Sequence, residues 1–379
     1  MFKFAPYLFK TLWRHRVRTL LTVSGSAVAL FVFCFVLSVQ QGLERLTHQD
    51  NSVLVVFQAN KFCPATSHLP QDYDRIIEEM PGVRDVLPIQ VFTNNCRASL
   101  DVVVFYGTEV EKIRRLRNFE LVTGSWADFE GHQDAAIVGR ALATRRGISV
   151  GEKFSIGDVT VAVAGIYTSD NRAEEDYVYC HLDFLQRTHG LDLVGTVTQQ
   201  EVWLDNSADP DQTAVAIDAQ LKSGQIETDT RTKGAFQASS IADLVHLIDL
   251  SHYLGWACLL LMAVLLGTTT IMTVEDRIGE HAVLQTLGFT TFRVFRLVMS
   301  EAVLLSVLGG CLGTALATVF LFESGLSLGA EAVSIAIVPT WNMALYAAVT
   351  SFVIGIIAGI APATHAARAD IVTSLRMAR

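Results

Sequence analysis

The sequence predicts a multi-pass α-helical membrane protein with four transmembrane helices and an α+β extracytoplasmic domain of two lobes. Three observations lead there. The 379 residues are 51% hydrophobic and only 18% charged, with a mean hydropathy of +0.37, whereas a soluble domain usually carries about 25% charge. The apolar residues are gathered in four long runs. Between the first and second runs lies a long segment, 40–252, with the mixed patterning of a water-soluble domain. These features exclude a disordered chain, a small disulfide-stapled scaffold and an ordinary cytosolic enzyme.

A membrane-spanning helix needs about 20 mostly apolar residues. Val17–Val39, Tyr253–Val274, Leu297–Phe322 and Asn342–Pro362 meet that length, and the charges among them are Arg18, at the edge of the first, and Glu301. Lipid offers backbone groups no partner, so the runs are helices rather than strands. The first run is too long for the core of a cleaved signal peptide, and Gln40, Gln41 and Glu44 follow it in place of a small-residue cleavage site. Orientation follows the basic residues. Lys3, Lys10, Arg14 and Arg16 precede the first span and Arg18 lies at its start, Arg277, Arg293 and Arg296 lie between the second and third, and Arg368, Arg376 and Arg379 follow the fourth. The 323–341 loop has neither Lys nor Arg. The expected plan is therefore a cytoplasmic amphipathic helix at 1–16, transmembrane helices at 17–39, 253–274, 297–322 and 342–362, a cytoplasmic segment at 275–296, an outer loop at 323–341 and a cytoplasmic tail at 363–379. The basic flank ahead of the first span suits contact with anionic membrane lipid.

The extracytoplasmic segment carries 18 Lys and Arg against 31 Asp and Glu, an acidic balance that argues against nucleic acid as a partner. Ser52–Gln58, Val83–Val91, Asp101–Tyr106 and Glu201–Leu204 read as strands, and Leu69–Met80 and Pro210–Leu221 as helices. Ala135–Arg146 reads as a strand followed by a helix. Lys153–Ile156 and Val159–Tyr167 flank Gly157-Asp158, a hairpin turn. The expected division is a membrane-proximal lobe at about 40–98 and 195–252, with a β-rich lobe inserted at about 99–194. Ser240 to Asp243 reads as a capping box. A helix running unbroken from there to Gly288 would be about 70 Å long, more than twice the thickness of the hydrocarbon core. Cys34, Cys258 and Cys311 lie within spans. Of the three outside, Cys63 and Cys96 sit in polar, loop-like sequence and are the favoured disulfide pair, ahead of Cys180.

Few motifs carry chemistry. No G-x-x-x-x-G-K-[ST] phosphate loop occurs, so ATP is expected on a separate subunit. Gly325-Leu-Ser-Leu-Gly329 matches the hydrolase elbow by letters but lacks the strand–turn–helix context. The run Glu174-Glu175-Asp176 is expected in a solvated loop. The His residues show no metal-binding spacing. Glu301, about one turn from the cytoplasmic edge, is expected to snorkel or to pair with a basic group. Gly309 with Gly313, and Gly355 with Gly359, are small-x-x-x-small pairs that allow close helix approach, within one chain or between two. Gly288 can end a helix in the left-handed conformation, and Thr290 or Thr291 can cap the next. Phe292, Phe295, Val298, Met299 and Ala302 then share one face. Such an elbow can seat in a cleft on a cytosolic partner or simply mark the membrane surface.

Glu275-Asp-Arg-Ile-Gly-Glu-His-Ala-Val-Leu-Gln-Thr-Leu-Gly-Phe-Thr290, with Phe292–Leu297 and Ser300-Glu301-Ala302, resembles the cytoplasmic signature of FtsX-like permeases. Ala135-Ala-Ile-Val-Gly-Arg-Ala-Leu-Ala, Val150-Gly-Glu-Lys-Phe and Val163-Ala-Gly-Ile-Tyr167 resemble the outer domain of the MacB-like branch, and Ala366–Arg376 resembles the family's C-terminal segment. The resemblance implies a non-catalytic permease of an ABC system in the bacterial inner membrane. It implies a separate ATPase that holds ATP and Mg, a second permease copy or paralogue forming a dimer, and in some members a periplasmic adaptor. It implies ATPase coupling through Glu275, Arg277, Glu280, Leu284, Leu287, Gly288, Phe292 and Arg293. The function it implies is ATP-driven export or lipoprotein release. Regulation of periplasmic partners such as cell-wall hydrolases, without transport, is the alternative.

Overall fold

The computed structural model describes residues 16–47, 52–61, 66–93, 102–188, 190, 193–240, 242–324, 326–330 and 333–368. In chain order the elements are α1 (Arg16–Thr47), β1 (Val53–Gln58), β2 (Leu69–Pro70), α2 (Tyr73–Glu78), β3 (Val83–Thr93), β4 (Val104–Thr108), α3 (Val110–Leu116), β5 (Glu120–Gly124), α4 (Trp126–Gly131), β6 (Ala135–Gly139), α5 (Arg140–Arg146), β7 (Lys153–Ile156), β8 (Val159–Thr168), a 3-10 turn (Arg172–Asp176), β9 (Tyr177–His181), α6 (Leu182–Thr188), β10 (Thr196–Val197), β11 (Gln199–Leu204), α7 (Pro210–Leu221), β12 (Thr228–Thr232), α8 (Lys233–Ser240), α9 (Ala242–Asp276), α10 (Ile278–Thr286), α11 (Thr291–Ser324), β13 (Ser327–Ala330), β14 (Val333–Ala336) and α12 (Trp341–Arg368). They form two units. A helical unit takes the described residues of Met1–Gln40, Ile248–Glu323 and Val338–Arg379. An α/β unit takes Gln41–Leu247 and Ser324–Ile337.

In the helical unit, α1, α9, α11 and α12 are long and apolar enough to cross a membrane. Each outruns its expected span. α9 has 35 residues, about 52 Å of helix. It does not continue to Gly288: the helix breaks at Arg277, whose φ of −117° and ψ of 15° leave helical geometry, and α10 is a separate helix. The glycines pack spans of the same chain. A Cβ on Gly309 or Gly313 would strike Ser26 or the Ala27 backbone of α1; one on Gly355 or Gly359 would strike Val303 and Ser306, or Met299 and Ala302, of α11. Gly309 and Gly313 therefore seat α11 against the first span, while Gly355 and Gly359 seat α12 against α11. Ser306 Oγ donates to the Ser351 carbonyl at 2.6 Å, and Ser351 Oγ donates back to the Ser306 carbonyl at 2.8 Å.

Polar clasps join α1 to α9 near both ends of the membrane-crossing stretch. Arg18 pairs with Asp276 at 2.8 Å and donates to Thr273 Oγ1 at 3.3 Å. Gln40 and His252 meet at 2.7 Å, and the Trp256 indole donates to the other ring nitrogen of His252 at 2.8 Å. The clasps lie about 35 Å apart along the helices, close to the hydrocarbon thickness of about 30 Å.

The α/β unit is built on one sheet, in the order β12-β1-β11-β3-β4-β9-β6-β8-β5, with β7 paired to β8. The β-branched run of β1 is buried between β11 and β12 and pairs antiparallel with both. β4 with β9, and β6 with β8, are parallel pairs. One sheet runs through both expected lobes: β3 pairs with β4 across the proposed boundary, and one apolar cluster takes Val53, Leu87 and Trp203 together with Ile113, Phe129 and Tyr167. The capping box is corrected. Ser240 ends α8, and its hydroxyl donates back to the Phe236 carbonyl at 3.1 Å. The 323–341 loop contains the β13–β14 hairpin, which belongs to the α/β unit.

Gly313→Leu should overpack the α1–α11 contact and lower the unfolding midpoint in detergent by the equivalent of about 1–3 kcal/mol. Leu312→Ala, at an exposed neighbouring position, should leave it nearly unchanged. Thermal melts of the purified permease check both.

Candidate coupling site

The segment between α9 and α11 is a helix flanked by two breaks. Its first break is Arg277, whose side chain is only 7% exposed and turns inward. The guanidinium lies 3.1 Å from Glu280 and 3.6 Å from Glu301 of α11, so Glu301 has the basic partner its position calls for. At the second break Leu287 caps α10 and Gly288 takes φ +93°. A side chain there would be strained by the backbone alone, although the space around it is open. Arg293 and Val294 amides then donate to the Thr290 carbonyl at 2.8 and 3.2 Å, starting α11.

Two sets of residues separate by direction. Val294, Val298 and Ala302 are buried, the first two in a cluster with Val274, Ala363 and Ala366, against which Phe295 and Met299 pack. Phe292 departs from the expected face: it is 65% exposed, and Leu287 is 73% exposed. The reason is the period of the helix. Positions 294, 298, 301 and 302 track the packed side, and 292 falls off it. Glu275, Glu280 and Arg293 are exposed as well, and Leu284 lies outside the described side chains. The outward set thus combines apolar and charged groups. Arg293 lies over the Phe289 ring at 5.9 Å and Arg296 over Phe292 at 5.8 Å, and Phe292 stacks on Phe295 at 6.4 Å. Sequence reasoning placed Arg296 with Arg293 on a face apart from the apolar one and passed over Val283 and Phe289. The i, i+4 spacing of Phe289 with Arg293 and of Phe292 with Arg296 was the available signal.

A second polar centre lies inside the α/β unit. The Glu174–Asp176 run is not a solvated loop; all three carboxylates are nearly buried. Arg117 bridges Glu174 and Glu201, and Lys233 approaches the same two carboxylates at 3.5 and 3.4 Å. The group surrounds a cavity of about 20 Å³ lined also by Tyr106, Tyr179 and Gln237. That is room for about one water. Burial alone would raise the Glu174 carboxyl, but Arg117 and Lys233 outweigh it and hold the group below its usual range. Burial pushes the Tyr177 and Tyr179 hydroxyls up, so they stay protonated. Cys180 is buried with a free thiol, and Cys63 and Cys96 lie outside the described residues.

Two outcomes follow. Arg277→Met should strand the Glu301 carboxylate and cost about 3–5 kcal/mol, whereas Arg277→Met with Glu301→Met should recover most of that loss; melts of the two variants check this. Glu174 has a depressed folded value, so its contribution is present above the unfolded carboxyl range and fades as pH falls through the folded value. The cost of Glu174→Gln should therefore be greatest near neutral pH and shrink between about pH 5 and about pH 3. Asp74 and Glu109, which burial pushes up against the pull of Lys112, act in the opposite sense and are common to both proteins in that comparison.

Residues 19–220 match the MacB-like periplasmic core domain, and residues 254–371 match the FtsX-like permease C-terminal region. Over 98% of its length the chain is 20% identical to an uncharacterized ABC transporter permease of Methanocaldococcus jannaschii, covering 96% of that protein. It is 26% identical over 97% of its length to the pyoverdine export ATP-binding/permease protein PvdT of Pseudomonas putida. It is 24% identical, again over 97%, to the macrolide export ATP-binding/permease protein MacB of Escherichia coli. The chain spans 58% and 59% of the length of those two relatives. Four membrane helices, a mixed α/β domain between the first and second, and matches to both families over most of the chain make it a member of the ABC transporter permeases that join a MacB-like periplasmic core domain to an FtsX-like permease region, a family that implies an ATPase partner.

Proposed function

We propose that the chain passes ATP-driven motion from a separate ATPase, docked on the cytoplasmic face at α10 and the start of α11, to a periplasmic α/β domain that handles an exported substrate. Orientation rests on the Lys and Arg bias of the flanks. The observation that carries the reading is the continuity of α1 and α9. Each runs as one helix through the stretch between the Arg18–Asp276 and Gln40–His252 clasps and on into the α/β unit. A stiff helix tied to a neighbour near both ends transmits a push with little internal give. The coupling helix itself is set off by the breaks at Arg277 and Gly288, so a partner can tilt it as a unit. The outward side chains Leu287, Phe292, Arg293 and Arg296 supply the aromatic, aliphatic and arginine groups that dominate protein contacts.

The printed names of PvdT and MacB support export as the outcome. An organic molecule taken up on the periplasmic side fits a chain whose spans bury a single carboxylate, already paired, rather than a polar path. A second permease copy and a periplasmic adaptor complete this proposed assembly.

The test is co-purification with the ATPase. Leu287→Asp with Phe292→Asp changes two exposed positions and should spare the fold. It should lower ATPase binding and permease-stimulated hydrolysis by about tenfold or more. An ATPase that stays bound and stimulated removes the docking assignment. In cells, a deletion strain that retains the exported compound supports transport. A cell-wall defect without retention would instead mark a regulator of periplasmic enzymes.

A further inference from the structure

The three carboxylates of the 3-10 turn each reach a different neighbour. Glu174 pairs with Lys233, the first residue of α8, which leads into α9. Glu175 accepts from Thr168 Oγ1 at 2.6 Å and lies 3.9 Å from Arg140 of α5. Asp176 pairs with Arg145 at 2.8 Å and accepts from Ser334 Oγ, on β14, at 2.9 Å. The Ser334 amide donates to the Tyr177 hydroxyl at 3.2 Å, and Arg145 donates to Ser327 Oγ of β13 at 3.1 Å. The turn fits there because position 139 is glycine: a Cβ on Gly139 would collide with the Glu175 backbone.

The β13–β14 hairpin is the connection between α11 and α12. Two strands of four residues are not stable alone. Among the described residues its strands pair with each other and with no strand of the large sheet, so its place depends on what it docks against. Ser327, Ser334 and Ile335 are buried. The buried polar groups at this docking site belong to the turn, its neighbour Tyr177 and Arg145. Leaving any of them without a partner is costly in a place this dry.

We propose that Arg172–Asp176 is a junction that fixes the segments leading into three of the four spans to the α/β domain, with Asp176 and Tyr177 as the positioning residues for the hairpin. Glu174 does the same for α8 through Lys233. The mechanical consequence rests on the force-transmission reading above; the docking itself does not. In that reading the hairpin makes motion of α11 and α12 available to the domain in addition to motion of α1 and α9.

The full-length permease with its ATPase tests both levels. Hydrogen exchange at 327–336 reads the docking. Ser334→Ala with Tyr177→Phe leaves the buried acid paired with Arg145, and should speed exchange there by about tenfold. Asp176→Ala should do at least as much, and Ser334→Thr, which keeps the hydroxyl and the amide, should restore slow exchange. Exchange within about twofold of wild type in both disrupted variants overturns the junction. Spin-label distances between the α/β domain and the membrane helices read the consequence. The Ser334→Ala, Tyr177→Phe protein should keep its ATPase rate while the nucleotide-dependent distance change shrinks. A full-sized change with the hairpin released overturns the positioning role. Wild type showing no nucleotide-dependent change sinks the force-transmission reading instead, and hydrogen exchange still decides the docking.

Discussion

Apolar side chains gain nothing by leaving lipid for one another, so the spans must be held by something other than hydrophobic burial. In this chain close approach and a few polar contacts serve that purpose. Gly309 and Gly313 bring α1 against α11, and Gly355 and Gly359 bring α12 against α11. α11 is thus the common neighbour. The reciprocal Ser306–Ser351 bonds fix the depth at which α11 and α12 meet. The Arg18–Asp276 and Gln40–His252 clasps fix α1 against α9 near both ends. Directional bonds at these places set a register that packing of leucines alone would leave loose.

The same logic governs charge in both units. Glu301 is tolerated among the spans because Arg277 reaches it, and Arg277 reaches it because the helix breaks there. The break therefore has two effects: it brings a cation to a buried carboxylate and separates α10 from α9. In the α/β domain, Arg117 and Lys233 together answer Glu174 and Glu201. Buried ion pairs add little net stability, since desolvation offsets attraction, but they penalise any arrangement that parts them. Each therefore specifies where an element sits more than how tightly it is held.

Much of the architecture was legible in the sequence because it is governed by local pattern. The four apolar runs, the Gly157-Asp158 hairpin, the Pro210–Leu221 helix and the helix end at Gly288 all follow from spacing and turn chemistry. Errors arose where long-range contact decided. Leu69–Pro70 pairs with Thr196–Val197, which shortens the helix expected from Leu69 to Tyr73–Glu78. The pairing of β3 with β4, which extends one sheet through both expected lobes, had no local signal either. Ser240 has the letters of a cap, but Phe236 and Gln237 upstream are already helical and buried. In the coupling site, Gly288 and the exposure of Leu287 could be read from turn chemistry and the edge of the helix. The inward turn of Arg277 could not, since its partner lies on another helix.

The acidic run shows most clearly what sequence conceals. Three consecutive carboxylates with no spacing motif normally mean solvent, because water is the cheapest partner for charge. Here the cations that answer them come from Arg117, Arg140, Arg145 and Lys233, on elements scattered along the chain, and no local pattern announces them. Their burial depends on a glycine at 139, on the parallel pairing of β6 with β8, and on a hairpin that follows the third span. A charged turn of this kind is a poor choice for stability alone, since apolar residues of similar volume would serve as well. It is a sound choice where separate segments must arrive at one place in one arrangement, because each carboxylate accepts only the neighbour that carries its counter-charge or its hydrogen-bond donor.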